Sequence, residues 1–136
     1  MNLLKAQFLI VVLLLASAGA FANSEEEARA EAVSWLELVD DGKYDESWDR
    51  AASLFRSKVS RQQWRNAVIS ARGPFGKLLS RNLMSATYAT RLPGAPDGEY
   101  VVLVFEASYE NADSAVETVT PMKDAGQWRV SGYYIR

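Results

Sequence analysis

Residues 100–109 read Tyr-Val-Val-Leu-Val-Phe-Glu-Ala-Ser-Tyr. Aromatic and β-branched side chains dominate the stretch, and the alternation puts Val101, Leu103, Phe105, Ala107 and Tyr109 on one face. That is a strand with one buried side. Turn signals bracket it: Pro93-Gly94-Ala95-Pro96-Asp97-Gly98 before, and Asn111-Ala112-Asp113 after. Upstream, Leu83–Leu92 is rich in Thr, Tyr and small residues and reads as a second strand. Downstream, Val116, Thr118, Thr120 and Met122 alternate, Asp124-Ala125-Gly126 turns the chain, and Trp128–Ile135 closes it, with a bulge expected at Gly132. Four strands joined by short turns predict an antiparallel meander.

Further upstream the apolar period changes from two to 3.6. Ser24 and Glu27 form a capping box that opens a first helix, with Ala28, Ala32, Trp35, Leu36 and Val39 on its inner stripe and Gly42 as its stop. A second helix carries Tyr44, Trp48, Ala51, Ala52 and Phe55 on one face. A third opens at Ser60 with Gln63, is stapled by Val59 onto Trp64, and turns Trp64, Ala67, Val68 and Ala71 inward before Gly73-Pro74 ends it. Three helices packed on one face of a four-stranded antiparallel meander make an α+β domain.

The first 22 residues have a different character. Lys5 is their only charge, Phe8–Ala16 is an unbroken apolar run, and Ala20-Phe21-Ala22 has the small-x-small pattern of a cleavage site. This is the order of a secretory signal peptide. The apolar run is shorter than the roughly 17–25 residues a membrane span needs. The expectation is residues 1–22 as a signal peptide, cut near Ala22/Asn23, and residues 23–136 as one exported domain, periplasmic or secreted, with no transmembrane segment after cleavage. Removing Lys5 and no acid takes the net charge from −2 to −3.

The chain has no histidine and no cysteine. That excludes a thiol nucleophile, a histidine base, disulfides and the usual zinc sites. No nucleophile elbow and no phosphate-binding glycine loop is present. No metal and no cofactor is expected, and any acid–base chemistry would fall to Asp, Glu, Tyr, Lys or Arg.

Charge is segregated along the chain. Residues 23–49 hold ten acids against Arg29 and Lys43, whereas residues 50–91 hold nine bases and no acid. One reading is a basic face for an anionic envelope ligand, a lipid headgroup or glycan rather than nucleic acid. The other, which the arithmetic favours, is internal pairing of the two blocks.

Trp35-Leu36 to Asp40, Gly42, Tyr44, Trp48, Arg72, Gly76 and Arg81 form one part of a wider pattern. Leu92-Pro93-Gly94, Asp97-Gly98-Glu99-Tyr100, Glu117-Thr118 and Trp128–Tyr133 complete it. This pattern resembles the bacterial family called domain of unknown function 4019, over nearly all of residues 23–136. That family is similar to the cystatin-like or nuclear-transport-factor-2-like α+β cone. The resemblance implies an exported protein and brings no assigned activity.

Several side chains are candidates for function. Arg72 and Arg81, with Lys77, flank a Gly-Pro-Phe-Gly loop suited to an anion. Glu117 interrupts an otherwise uncharged strand. If it faces the helices it needs a partner, and Arg72 or Arg81 is the expected one. Trp48, Tyr100 and Tyr134 are candidates to line a pocket, although aromatics of this kind more often fill a core. Tyr133 and Tyr134 must point to opposite faces. The preferred reading is a non-enzymatic ligand-binding or interaction module, with Arg72, Arg81, Glu117, Trp48, Tyr100 and Tyr134 as the binding set. Its ligand would be an anionic envelope component or a small molecule. The alternative is a small hydrolase or isomerase using Glu117 or Asp40 in a cone-shaped pocket. Val102, Val104 and Tyr100 would make the uncovered sheet face sticky, so monomer and homodimer both stay open.

Overall fold

The computed structural model describes residues 2–136, with side chains for residue 19 and residues 22–136. The side chains of the apolar run Phe8–Ala16, and Lys5, Ala20 and Phe21 of the expected signal peptide, lie outside the described residues. The elements are α1 (Asn2–Asp40), α2 (Tyr44–Arg50), α3 (Ser53–Lys58), α4 (Arg61–Arg72) and a 3-10 turn (Gly73–Phe75). The strands β1 (Leu78–Ala89), β2 (Tyr100–Tyr109), β3 (Ala112–Asp124) and β4 (Gln127–Ile135) follow. The strands form one antiparallel sheet in the order β1-β2-β3-β4. The α+β meander with helices before strands is therefore the observed fold. Among the described residues no helix is long and apolar enough to cross a membrane.

Helix α1 buries Ala28, Ala32, Trp35, Leu36 and Val39. Its start differs from expectation: Ser24–Glu27 lie inside the helix and cap nothing in the intact chain. No proline interrupts residues 2–23, so the helix runs on through them. Its end follows expectation. Gly42 takes φ +74°, Lys43 N donates to Leu38 O and Gly42 N to Val39 O, the paired bonds of a Schellman motif.

The single second helix expected over Tyr44–Phe55 is two helices. Ala51 and Ala52 are extended, with ψ of 162° and 150°. Ala52 N donates to Val130 O at 2.8 Å, which ties the break to β4. A tertiary hydrogen bond here overrides two good helix formers. Helix α4 has the capping box, with Gln63 N on Ser60 Oγ at 3.1 Å and Ser60 N on Gln63 Oε1 at 2.9 Å. Its inner stripe is narrower than expected: Trp64 and Val68 are buried, while Ala67 and Ala71 face solvent. The stripe continues by one more turn to Arg72.

The core lies between the helices and the inner sheet face. The Trp35 ring is 5.5 Å from Trp64 and 5.7 Å from Tyr133, and Phe55 meets Trp64 edge-on at 5.2 Å. Ser47 is fully buried among them. Its Oγ accepts from Trp64 Nε1 at 2.9 Å and its carbonyl accepts from Trp35 Nε1 at 2.8 Å.

Bulges decide which strand residues face this core. Strand β1 begins at Leu78 rather than Leu83 and carries two extra residues, Leu79 and Met84, opposite β2. Between and beyond them the inward set runs Leu78, Arg81, Leu83, Ala86, Tyr88, paired with Tyr109, Ala107, Phe105, Leu103 and Val101. Strand β4 has the expected bulge, with Ser131 and Gly132 opposite Thr120. On β3 the inward residues are Ala115, Glu117, Val119 and Pro121, so Val116, Thr118, Thr120 and Met122 form the outer row.

Candidate functional site

Glu117 lies on the inner face of β3, between Phe105 of β2 and Ile135 of β4, with no solvent exposure. A carboxylate there must be paired to be tolerated. Small inner residues nearby, Ala107 and Ala115, leave room for long polar side chains to reach it. Arg81 of β1 fills that room: its Nε donates to Glu117 Oε1 at 2.8 Å and its Nη2 to Oε2 at 3.3 Å. Tyr133 of β4 donates its hydroxyl to Glu117 Oε2.

Arg81 also reaches the other way. Its Nη1 and Nη2 donate to Asp40 Oδ2 and Oδ1 at 2.8 and 2.9 Å, a bidentate pairing with the C-terminal end of α1. Its Nη2 reaches the Tyr109 hydroxyl at 3.5 Å. Arg72, the last residue of α4, places Nη2 at 2.8 Å from Asp40 Oδ1 and its guanidinium 5.2 Å over the Tyr109 ring. Six side chains from six elements thus form one network with two carboxylates and two guanidiniums. Burial works against the charge on Arg81, but its bonds to Asp40 and Glu117 outweigh it and hold the guanidinium protonated more firmly than usual. Burial pushes the Tyr109 phenol up to about 12, with Glu117 adding to it. The same two causes raise Tyr133 further.

One polar atom of the network is unsatisfied. Arg72 Nη1 is buried without a hydrogen-bond partner, as is Trp128 Nε1 under the Lys123 ammonium. Arg72 also lines a cleft of about 460 Å³ between the C-terminal ends of α1 and α4 and the start of β1. Asp40, Asp41, Tyr44, Ile69, Lys77 and Leu78 are among its other walls. Gly76, at φ +76°, lets the loop turn there against the Asn111 side chain, where a Cβ would stand 3.0 Å from Nδ2.

Of the expected binding set, the structure brings together Arg72, Arg81 and Glu117. It does not bring Trp48, Tyr100 or Tyr134 to them. Trp48 donates Nε1 to Val59 O at 2.7 Å and sits beneath Arg56 and Arg61. Tyr100 is buried on the outer face beneath its own loop, donating to Pro96 O at 2.6 Å, so it is not part of a sticky exposed surface. Tyr134 is on the outer face, opposite Thr118, and 63% exposed. Tyr133 takes the inward position instead, because the bulge at Ser131-Gly132 reverses the parity set by Trp128 and Val130.

The charge blocks pair internally. Arg50 meets Glu31, Arg61 meets Asp49, Arg65 meets Asp45, and Arg72 and Arg81 share Asp40. The basic face that the other reading offered is largely spent on these contacts. Of the two carboxylates of the enzymatic alternative, Glu117 has both oxygens occupied and enclosed, whereas Asp40 lines the cleft. Among the described residues no group of three or more acids is placed to hold a metal ion.

A family model described as "Protein of unknown function (DUF4019)" matches residues 31–133. That span runs from the C-terminal part of α1 into β4 and includes every member of the network. No curated protein matches the chain.

Proposed function

Since the chain belongs to this family of proteins of unknown function, we propose that it is an exported, non-enzymatic binding module that takes a small polar ligand in the α1–α4–β1 cleft. The observation that carries this reading is Arg72 Nη1. A buried guanidinium N–H without an acceptor costs about 1–3 kcal/mol or more for a charged group. Arg72 itself lines a cleft of about 460 Å³, a size within the range of ligand sites, about 300–1,000 Å³. Nη1 itself has no exposure to the cleft, so a ligand acceptor relieves that cost only where the Arg72 guanidinium turns outward to meet it. The surrounding network holds Arg72 from behind through Asp40, and Asp40 through Arg81 and Glu117, which is how a binding group is kept in one orientation.

Export is the other half of the proposal. It is supported by the order of charge, apolar run and small residues ahead of Asn23. Expression in a bacterial host followed by N-terminal sequencing of the extracytoplasmic fraction checks it, with Asn23 as the expected first residue. Intact chain confined to the cytoplasm would refute it.

Ligand binding is tested by ligand-observed NMR with the small-molecule fraction of a bacterial envelope extract. Saturation transfer from the full chain is the expected result. The Ile69→Trp variant, which fills the cleft from a half-exposed wall position, is expected to abolish it. Equal transfer from both proteins, or none from the unsubstituted chain, contradicts the proposal.

A further inference from the structure

The geometry points to a small zwitterion, an amino acid or short peptide bearing a carboxylate and an ammonium, as the ligand class of the cleft. This rests on the reading of the cleft as a binding site. Four oppositely charged side chains line it: Asp40 and Asp41 against Arg72 and Lys77. Asp40 is satisfied by Arg72 and Arg81. Of these four side chains, what remains unmatched is the buried Arg72 Nη1, the exposed Lys77 ammonium and the exposed Asp41 carboxylate. The cleft therefore has donors for an anion and an acceptor for a cation.

Its electrostatics reject the simpler ligands. A polyanion would press its further charges against Asp40 and Asp41. It would also meet the C-terminal ends of α1 and α4, which carry partial negative charge. A simple cation would meet Arg72 and Lys77 and leave Nη1 without an acceptor. A ligand with both charges answers both walls, its carboxylate toward Arg72 and Lys77 and its ammonium toward Asp41 and the helix ends. Ile69 and Leu78 supply an apolar wall for a short aliphatic side chain. The internal pairing of the chain's basic block removes the reason to expect a headgroup or acidic glycan there.

The test is isothermal titration of the full chain with L-alanyl-L-alanine, propionate, propylamine, inorganic phosphate and phosphoethanolamine. The dipeptide is expected to bind at least about tenfold more tightly than any of the other probes. Asp41→Asn is expected to bring its affinity down toward that of propionate, and Lys77→Gln toward that of propylamine. Both positions are exposed, so neither variant endangers folding. Propionate or phosphate binding as tightly as the dipeptide overturns the zwitterion in favour of a simple anion. Phosphoethanolamine binding best overturns it in favour of a lipid headgroup. No heat from any probe, while Ile69→Trp still abolishes NMR transfer from the extract, overturns the ligand class and leaves the cleft standing as a site. Loss of both signals overturns the site as well.

Discussion

Arg81 and Glu117, 36 residues apart in the chain, join β1 to β3 across the intervening β2 through a 2.8 Å bond from Nε to Oε1. Glu117 is wholly enclosed, so the bond is made away from water. Removing one member of such a pair leaves the other charge buried and uncompensated, at a cost of about 3–5 kcal/mol. Arg81→Ala is expected to lose about that much in urea unfolding. The double variant Arg81→Met/Glu117→Leu, which removes both charges, is expected to be more stable than Arg81→Ala. A double variant less stable than the single would show that the network stabilises the fold beyond mutual charge compensation.

Two phenols report on the same network through pH. Tyr109 is raised from its ordinary value of 10.0 to about 12, and Tyr133 moves in the same direction. A group whose pKa is raised on folding keeps its full contribution below the unfolded value. It loses that contribution as pH climbs toward the folded one. Stability is therefore expected to be flat with respect to these groups up to about pH 10 and to fall between about 10 and 12. Melting temperature across pH 8–12 measures this. Tyr133→Phe is expected to be less stable at neutral pH, where Glu117 loses a donor, and to show a shallower alkaline decline.

Ser47 ties two indoles together. It is buried and its hydroxyl is the acceptor for Trp64 Nε1. Ser47→Ala keeps the backbone carbonyl that serves Trp35 but orphans Trp64, which costs about 1–3 kcal/mol. Denaturant unfolding followed by tryptophan fluorescence is expected to show that loss. A cost below about 0.5 kcal/mol would mean that a water replaces the hydroxyl.

At the far end of the sheet, Asp124 Oδ2 accepts from Ser53 N at 2.8 Å and from Ser53 Oγ at 2.7 Å, holding the start of α3. These bonds lower the Asp124 pKa below its ordinary 3.8. A depressed carboxylate contributes above its unfolded pKa and loses that contribution as pH falls through the folded one. Asp124→Asn is accordingly expected to destabilise at pH 7 by about 1 kcal/mol, the scale of a lost helix cap. At pH 2 the difference should narrow toward zero. A constant difference at both pH values would assign the effect to geometry rather than charge.

Much of this architecture is legible in the residues, and the exceptions share one physical origin. Strand β2 has the predicted limits because its alternation is unbroken from Tyr100 to Tyr109. The α1 stripe and its Gly42 stop are equally plain. Glu117 stands out as a lone carboxylate in a strand, and its need for Arg72 or Arg81 follows from the cost of burying it, with the choice of Arg81 made by the fold. What escapes the sequence is parity. The bulge at Ser131-Gly132 sends Tyr133 inward and Tyr134 outward, although simple alternation from Trp128 and Val130 gives the reverse. Leu79 and Met84 shift β1 in the same way. The bulge signalled by Gly132, applied to the next residue, places Tyr133 inward. The break at Ala51-Ala52 was not legible at all, because its cause is a bond to Val130, 78 positions further along the chain.

The two extra residues of β1 have one more consequence. This strand forms an open border of the sheet, is 12 residues long, and has only Arg81 as a charge, directed inward. A border so long and so poorly charged invites another polypeptide to add itself edge to edge. Leu79 and Met84 interrupt the regular spacing of its amide groups at two points, and each is more than 60% exposed. An incoming strand would find no continuous ladder longer than Ser85–Ala89. The bulges thus supply the colloidal protection that lysine or proline gives elsewhere, and they leave the inner side of the strand free to hold its arginine.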